Sequence, residues 1–252
     1  MKEFIYKIDY NVAQMFHNIY SHLGKFSNVL MKIISYLGEA GILFLLIGFG
    51  LALFKRTRKI GGTIILSVAI GFLITNVLLK NIIGRARPFE NIGSDFYKWW
   101  LDAGATSESG HSFPSGHTTA TTAFSLAIFL TVNKKYSWPI LCFPIIMASS
   151  RIYLMVHYFT DCLGGIVVGC VSAIIAYLLI KWIYCSKIKL FVWIRSLDIF
   201  KPQNTKSNIE QELKPNSEQN ADTSTDEFVY VTQDDEKQTQ TEHDNEQEKI
   251  TK

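Results

Sequence analysis

The chain has 252 residues, 48% of them hydrophobic, and its formal net charge of +3 hides a sharp division. Residues 201–252 hold 13 acidic and 6 basic side chains, which leaves 9 acidic and 19 basic in the preceding 200. A basic apolar body with an acidic polar tail excludes a single soluble domain. Its cations cluster between apolar runs instead of alternating with exposed aromatics, which argues against nucleic-acid binding and for membrane topology.

At the N-terminus, Phe4, Ile8, Val12, Met15, Phe16, Ile19 and Leu23 recur at helical spacing, with Asp9, Asn11, Gln14, His17 and Asn18 between them. The segment is too polar to span a bilayer and predicts an amphipathic helix lying in the interface or packed on a bundle. It lacks the unbroken apolar stretch of a cleaved signal peptide, so insertion is expected to rely on the first span. Five apolar stretches follow, near Tyr36–Phe54, Ile60–Leu79, His117–Val132, Ser137–Val156 and Leu163–Tyr184. A helix needs about 20 residues to cross a bilayer, so these predict an all-α, polytopic transmembrane bundle of about five spans. The four cysteines, Cys142, Cys162, Cys170 and Cys185, show no metal-ligand spacing and read as small buried side chains.

Basic clusters set the orientation. Lys55 to Lys59, Lys134 with Lys135, and the run Lys181, Lys187, Lys189 and Arg195 all fall on one side of a five-span bundle. The positive-inside rule makes that side cytoplasmic. The loop from Lys80 to Phe113 and the turn from His157 to Asp161 then share the outer face. Within that loop Phe96, Tyr97, Trp99 and Trp100 read by default as an interfacial aromatic belt. From about Lys201 onward the chain is rich in Gln, Asn, Ser, Thr, Asp and Glu and predicts a disordered cytoplasmic tail. The expected division is therefore a membrane domain over 1–200 and a tail over 201–252, whose partner is unknown.

Three clusters at the outer ends of the spans carry the chemistry. Lys80 and Arg87, seven apart and followed by Pro88, can meet a multiply charged anion, although cations at membrane ends commonly snorkel to headgroups. Pro114-Ser115-Gly116-His117 opens an apolar helix. Ser115 suits an N-cap, Gly116 permits close approach of an anion to the N-terminal N–H groups, and His117 stands beside them. Arg151 lies in an otherwise apolar run, where an ionisable group is a functional candidate. Six residues later comes His157, with Asp161 four beyond it. That carboxylate can receive Nδ1–H of the imidazole and turn Nε2 toward a substrate, or it can simply cap the fifth span.

Two histidines and three cations around one anion suggest phosphoryl transfer: neutral His157 as nucleophile, protonated His117 as acid, and Lys80, Arg87, Arg151 and the N–H groups at Ser115 and Gly116 on the phosphate. No carboxylate set suits Mg²⁺, so no metal and no cofactor is expected. The ordered motifs K-x6-R-P, P-S-G-H and S-R-x5-H-x3-D, the last from Ser150 to Asp161, resemble the signature of the type 2 phosphatidic acid phosphatase superfamily. The likeness covers roughly the first 185 to 200 residues. It implies a helical bundle, a phosphohistidine at His157, acid catalysis by His117, orientation of the nucleophile by Asp161 and phosphate binding by the remaining polar positions. The compact size and outward-facing site are similar to bacterial enzymes acting on undecaprenyl diphosphate. That likeness implies a phosphorylated lipid as substrate, the bilayer as partner, no nucleic acid, and a bacterial cell membrane as location. Phosphatidic acid and phosphatidylglycerol phosphate are alternative substrates; a non-catalytic lipid-binding protein is the reading of another class. Arg85, His111 and Glu39 are further candidates for the pocket.

Overall fold

The computed structural model describes residues 2–38 and 41–186; Glu39 and the expected tail, 201–252, lie outside the described residues. The regular structure of the described residues is helical: α1 (Lys2–Leu23), α2 (Lys25–Leu37), α3 (Ile42–Leu53), α4 (Arg58–Phe72), α5 (Lys80–Ile83), α6 (Asp95–Asp102), α7 (Gly116–Thr131), α8 (Lys134–Ser137), α9 (Phe143–Tyr153) and α10 (Phe159–Cys185). A π-helical stretch, Leu73–Leu79, joins α4 to α5 without a break.

Helices α4, α7 and α10 pack against one another as the core, with α3 laid on α4. The packing inverts that of a soluble bundle. On α10, Val167, Val171, Leu178 and Trp182 are exposed, whereas Gly165, Gly169, Ser172, Ala173 and Ala176 face inward. Small residues let helix backbones approach when lipid removes any hydrophobic drive between them. A Cβ on Gly165 would lie 2.7 Å from the Ser115 carbonyl oxygen, and one on Gly169 would lie 2.5 Å from Thr122 Cβ. This close approach brings the start of α10 against the start of α7. Farther along, Phe44 of α3 stacks on Phe124 of α7, with ring centroids 4.5 Å apart, beside Ile64 and Val68.

Among the described residues, two helical stretches are long and apolar enough to cross a membrane, Arg58–Glu90 and Phe159–Cys185. The other three expected spans are shorter or interrupted. The first is divided: α2 ends at Leu37, capped by Gly38, and α3 starts after Gly41, whose φ of +70° suits a residue without a side chain. The third is α7, of 16 residues. In the fourth, Pro139 and Pro144 interrupt the run, so a 3₁₀ turn over Trp138–Cys142 precedes the 11-residue α9.

Helix α1 forms as expected, and Val12, Phe16 and Ile19 of its apolar stripe pack against the core, but the fully buried positions include a polar one. Asp9 and Ala13 are buried, while Phe4, Met15 and Leu23 are more than half exposed. The aromatic residues of α6 also differ from the expected interfacial belt. Phe96 is buried against Tyr10 and Tyr158, Trp99 stacks on His17, and Trp100 stacks on Phe89. The reason is α1, which supplies an aromatic surface that these rings cover.

Candidate active site

Three local structures bring the motif residues to one cavity. The π-helical stretch carries α4 into α5, so that Lys80 follows Thr75 and Asn76 along the cavity wall. Such stretches shift the register of a helix and are frequent at functional sites. The start of α7 supplies Gly116 and His117, whose first-turn N–H groups have no partners within the helix. The turn between α9 and α10 supplies His157. Lys80, Arg87, Glu108, Gly116, His117 and His157 line a cavity of about 430 Å³. A neighbouring cavity of about 380 Å³ shares Glu108 and His117.

Asp161 is fully buried and engaged from several directions. Its Oδ2 accepts the Tyr158 N–H at 2.8 Å and the hydroxyl of Ser112, and its Oδ1 accepts from Arg85 Nη1 at 2.5 Å. The bond from Tyr158 makes Asp161 a cap of α10, so the bland role foreseen for this residue is realised. His157 Nδ1 lies 3.7 Å from Asp161 Oδ2, beyond hydrogen-bond range, and 3.5 Å from Ser112 Oγ. The direct imidazole–carboxylate bond expected from the i, i+4 spacing is thus relayed by Ser112. With Nδ1 on this side, Nε2 is the atom left for the cavity.

The arginines differ in their commitments. Arg87 is 2% exposed and donates to the carbonyls of Gly110, Val156 and Ser109 at 2.8, 2.9 and 2.8 Å. It therefore ties the 109–110 loop to the residue preceding His157 while still forming part of the cavity wall. Arg151, 1% exposed, donates to Ser35 and pairs with Glu108; among the described residues its Nε has no hydrogen-bond partner. Arg151 lies behind Glu108 and does not line the cavity itself. Ser115 takes the N-cap position of α7 without a side-chain capping bond, and its N–H donates to the Asp161 carbonyl at 3.1 Å. That amide is already used, so anion contacts from this turn fall to Gly116 and His117.

Arg85 points away from the cavity. It bridges Asp161 and Asp9, donates to Thr160 Oγ1 at 2.7 Å, and lies 3.9 Å over the Tyr158 ring. His111 is exposed and outside the cavity wall. Asp9, Ser35, Glu108 and Ser112 are site residues that the motifs do not mark. Each is a single polar residue in a loop or helix that reads as solvated until its partners are known.

Charge and burial oppose each other here. Burial pushes His157 down to about 4, with Arg151 and Arg87 adding to the effect and Asp161 opposing it. The imidazole is therefore held neutral. Burial disfavours the charged form of Glu108, yet Arg151, His117 and Arg87 together hold its carboxyl below the ordinary range.

A buried neutral histidine, a second histidine at a helix N-terminus and flanking cations thus meet around one cavity at one end of a helical bundle. The model of the PAP2 superfamily matches residues 60–185, half of the chain, and the chain belongs to that superfamily. It is 31% identical over 120 residues to an undecaprenyl-diphosphatase of Sulfolobus acidocaldarius, covering 47% of this chain and 54% of the relative. It is 27% identical over 164 residues to the undecaprenyl-diphosphatase BcrC of Bacillus subtilis, covering 64% and 79%. The chain thus spans about half the length of the first relative and more of the second. In fold it resembles the crystal structure of a PAP2-type phosphatidylglycerolphosphate phosphatase from Bacillus subtilis, with a TM-score of 0.52, 24% identity, and coverage of 73% of this chain and 88% of that one.

Proposed function

We propose that this chain is an integral membrane lipid phosphatase that hydrolyses a phosphate monoester or diphosphate through a phosphohistidine on His157. The observation that carries the reading is the meeting of His157 and His117 on one cavity wall with Lys80 and Arg87. Neutral Nε2 of His157 attacks phosphorus while the bond from phosphorus to the leaving oxygen breaks, and His117 gives that oxygen its proton. Water then attacks the phosphohistidine and returns a proton to His117. Phosphate leaves and His157 is neutral again. Lys80, Arg87 and the N–H groups at Gly116 and His117 meet the equatorial oxygens; Arg151 acts from behind Glu108, and Ser115 shapes the helix start. Asp161, with Ser112, orients the imidazole.

Undecaprenyl diphosphate is the substrate we favour, because two relatives are named for that activity. A phosphatidic acid or phosphatidylglycerol phosphate phosphatase is the second reading, supported by the likeness of fold to the Bacillus subtilis phosphatase. A non-catalytic lipid-binding protein is disfavoured because both histidines are retained on the cavity wall. The site opens on the extracytoplasmic face of a bacterial cell membrane, with residues 201–252 as a separate cytoplasmic tail. Phosphate release from the three lipids by detergent-solubilised protein tests this reading. Turnover highest on undecaprenyl diphosphate, resistant to chelator and abolished in His157→Ala supports it. Near-normal turnover in the variant refutes the nucleophile.

A further inference from the structure

Asp9 is fully buried, although it stands on the polar-patterned helix α1, outside residues 60–185. Its Oδ1 accepts the Thr160 N–H at 2.9 Å, and its Oδ2 accepts the Thr160 hydroxyl at 2.9 Å and Arg85 Nη2 at 2.7 Å. Arg85 Nη1 reaches the other way, to Asp161 at 2.5 Å. One guanidinium is therefore shared by two buried carboxylates, and the Tyr158 ring closes one face of it at 3.9 Å. Burying a carboxylate is costly unless it is paired and hydrogen-bonded. Asp9 has all three of its close partners in the assembly that holds Asp161.

We propose that Asp9 is a positioning residue for the reaction, drawing Arg85 off Asp161 enough that Asp161 keeps its negative charge directed at His157. The inference rests on His157 being the nucleophile. Of the three charges in this cluster two are negative and one positive, so the cluster itself is net negative on the Asp161 side of the imidazole. Without the charge on Asp9, Arg85 becomes the undivided counter-ion of Asp161 and cancels the field that supports charge on the ring during phosphoryl transfer. In a low-dielectric site that loss is felt strongly. A second consequence is mechanical: Asp9 accepts an N–H from the first turn of α10, so seating of α1 is coupled to the setting of the turn that holds His157.

Asp9→Asn separates the two roles, since the amide oxygen can still accept from Thr160 while the charge against Arg85 is lost. In the full chain in detergent, with undecaprenyl diphosphate and phosphatidylglycerol phosphate as probes, kcat is expected to fall on the order of tenfold to a hundredfold, with KM little changed. The ¹⁵N signals of His157 are expected to move from one fixed tautomer toward a mixture. Asp95→Ala is the control. It cuts the 3.0 Å bond from Tyr10 that ties α1 to α6 and should leave both readouts unchanged. Wild-type kcat and an unaltered His157 signature in Asp9→Asn overturn the proposal. So do equal losses in Asp9→Asn and Asp95→Ala, which would mean that α1 acts only by docking. If neither lipid is hydrolysed by the wild-type chain but the His157 signature still changes in Asp9→Asn, the positioning role stands and the lipid-phosphatase reading fails.

Discussion

In the proposed reaction, His157 is made ready as a nucleophile by being buried without being charged. Burial, with Arg151 and Arg87 nearby, pushes it down to about 4, against an ordinary histidine value of about 6.5. A lowered value means the folded state binds the proton less well than the unfolded chain. The group's contribution to stability is thus complete above about 6.5 and is lost as pH falls toward 4. An NMR titration of His157 should show a midpoint near 4; a midpoint at the ordinary value would contradict the burial account. Glu108 behaves differently, as the carboxylate that neutralises Arg151. Glu108→Gln should lower the melting temperature in detergent, because it strands a buried guanidinium. Since Glu108 is partly exposed, the cost stays below the roughly 3–5 kcal/mol typical of breaking a fully buried pair. The motif residues Lys80, Arg87, Gly116, His117 and His157 were legible because they fall in three ordered motifs at the ends of apolar runs, although a cation there alone says little. Asp9, Ser112 and Glu108 were not: Asp9 stands among the polar positions of α1, and Glu108 and Ser112 lie in a polar loop, where a side chain reads the same whether it faces water or a buried partner.

At the level of elements, the tightest constraint is the glycine face of α10 against α7. A Cβ on Gly169 would lie 2.7 Å from the Thr119 carbonyl oxygen as well as 2.5 Å from Thr122 Cβ. Gly169→Leu should therefore force α10 outward, cost about 1–3 kcal/mol or more, and reduce activity by shifting Asp161 relative to His117. Gly50→Ala on α3 meets nothing within 4 Å and should be neutral or gain up to about 1 kcal/mol in helix propensity. Melting temperatures in detergent compare the two; similar values would dismiss the close-packing argument. Hydropathy revealed α4 and α10 because their apolar runs are long and unbroken. It started the first span at Tyr36, inside the end of α2, because average hydropathy does not register that Gly38 and Gly41 stop and restart a helix. It also gave the α6 aromatics to the interface, since no sequence signal shows that α1 covers them.

For the whole molecule, basic clusters and motif positions together imply an orientation. Cysteines introduced at Asn91, in the motif-bearing loop, should react with an impermeant maleimide from outside the cell, and those at Lys135 only after permeabilisation. The reverse pattern would turn the site toward the cytoplasm and change the lipid pool it meets. The central claim is chemical, and trapping the covalent intermediate addresses it most directly. With ³²P-labelled undecaprenyl diphosphate and a rapid alkaline quench, the wild-type chain should retain acid-labile, base-stable label on a peptide containing His157, and His157→Gln should retain none. Equal labelling of that variant, or label confined to another residue, would contradict the account.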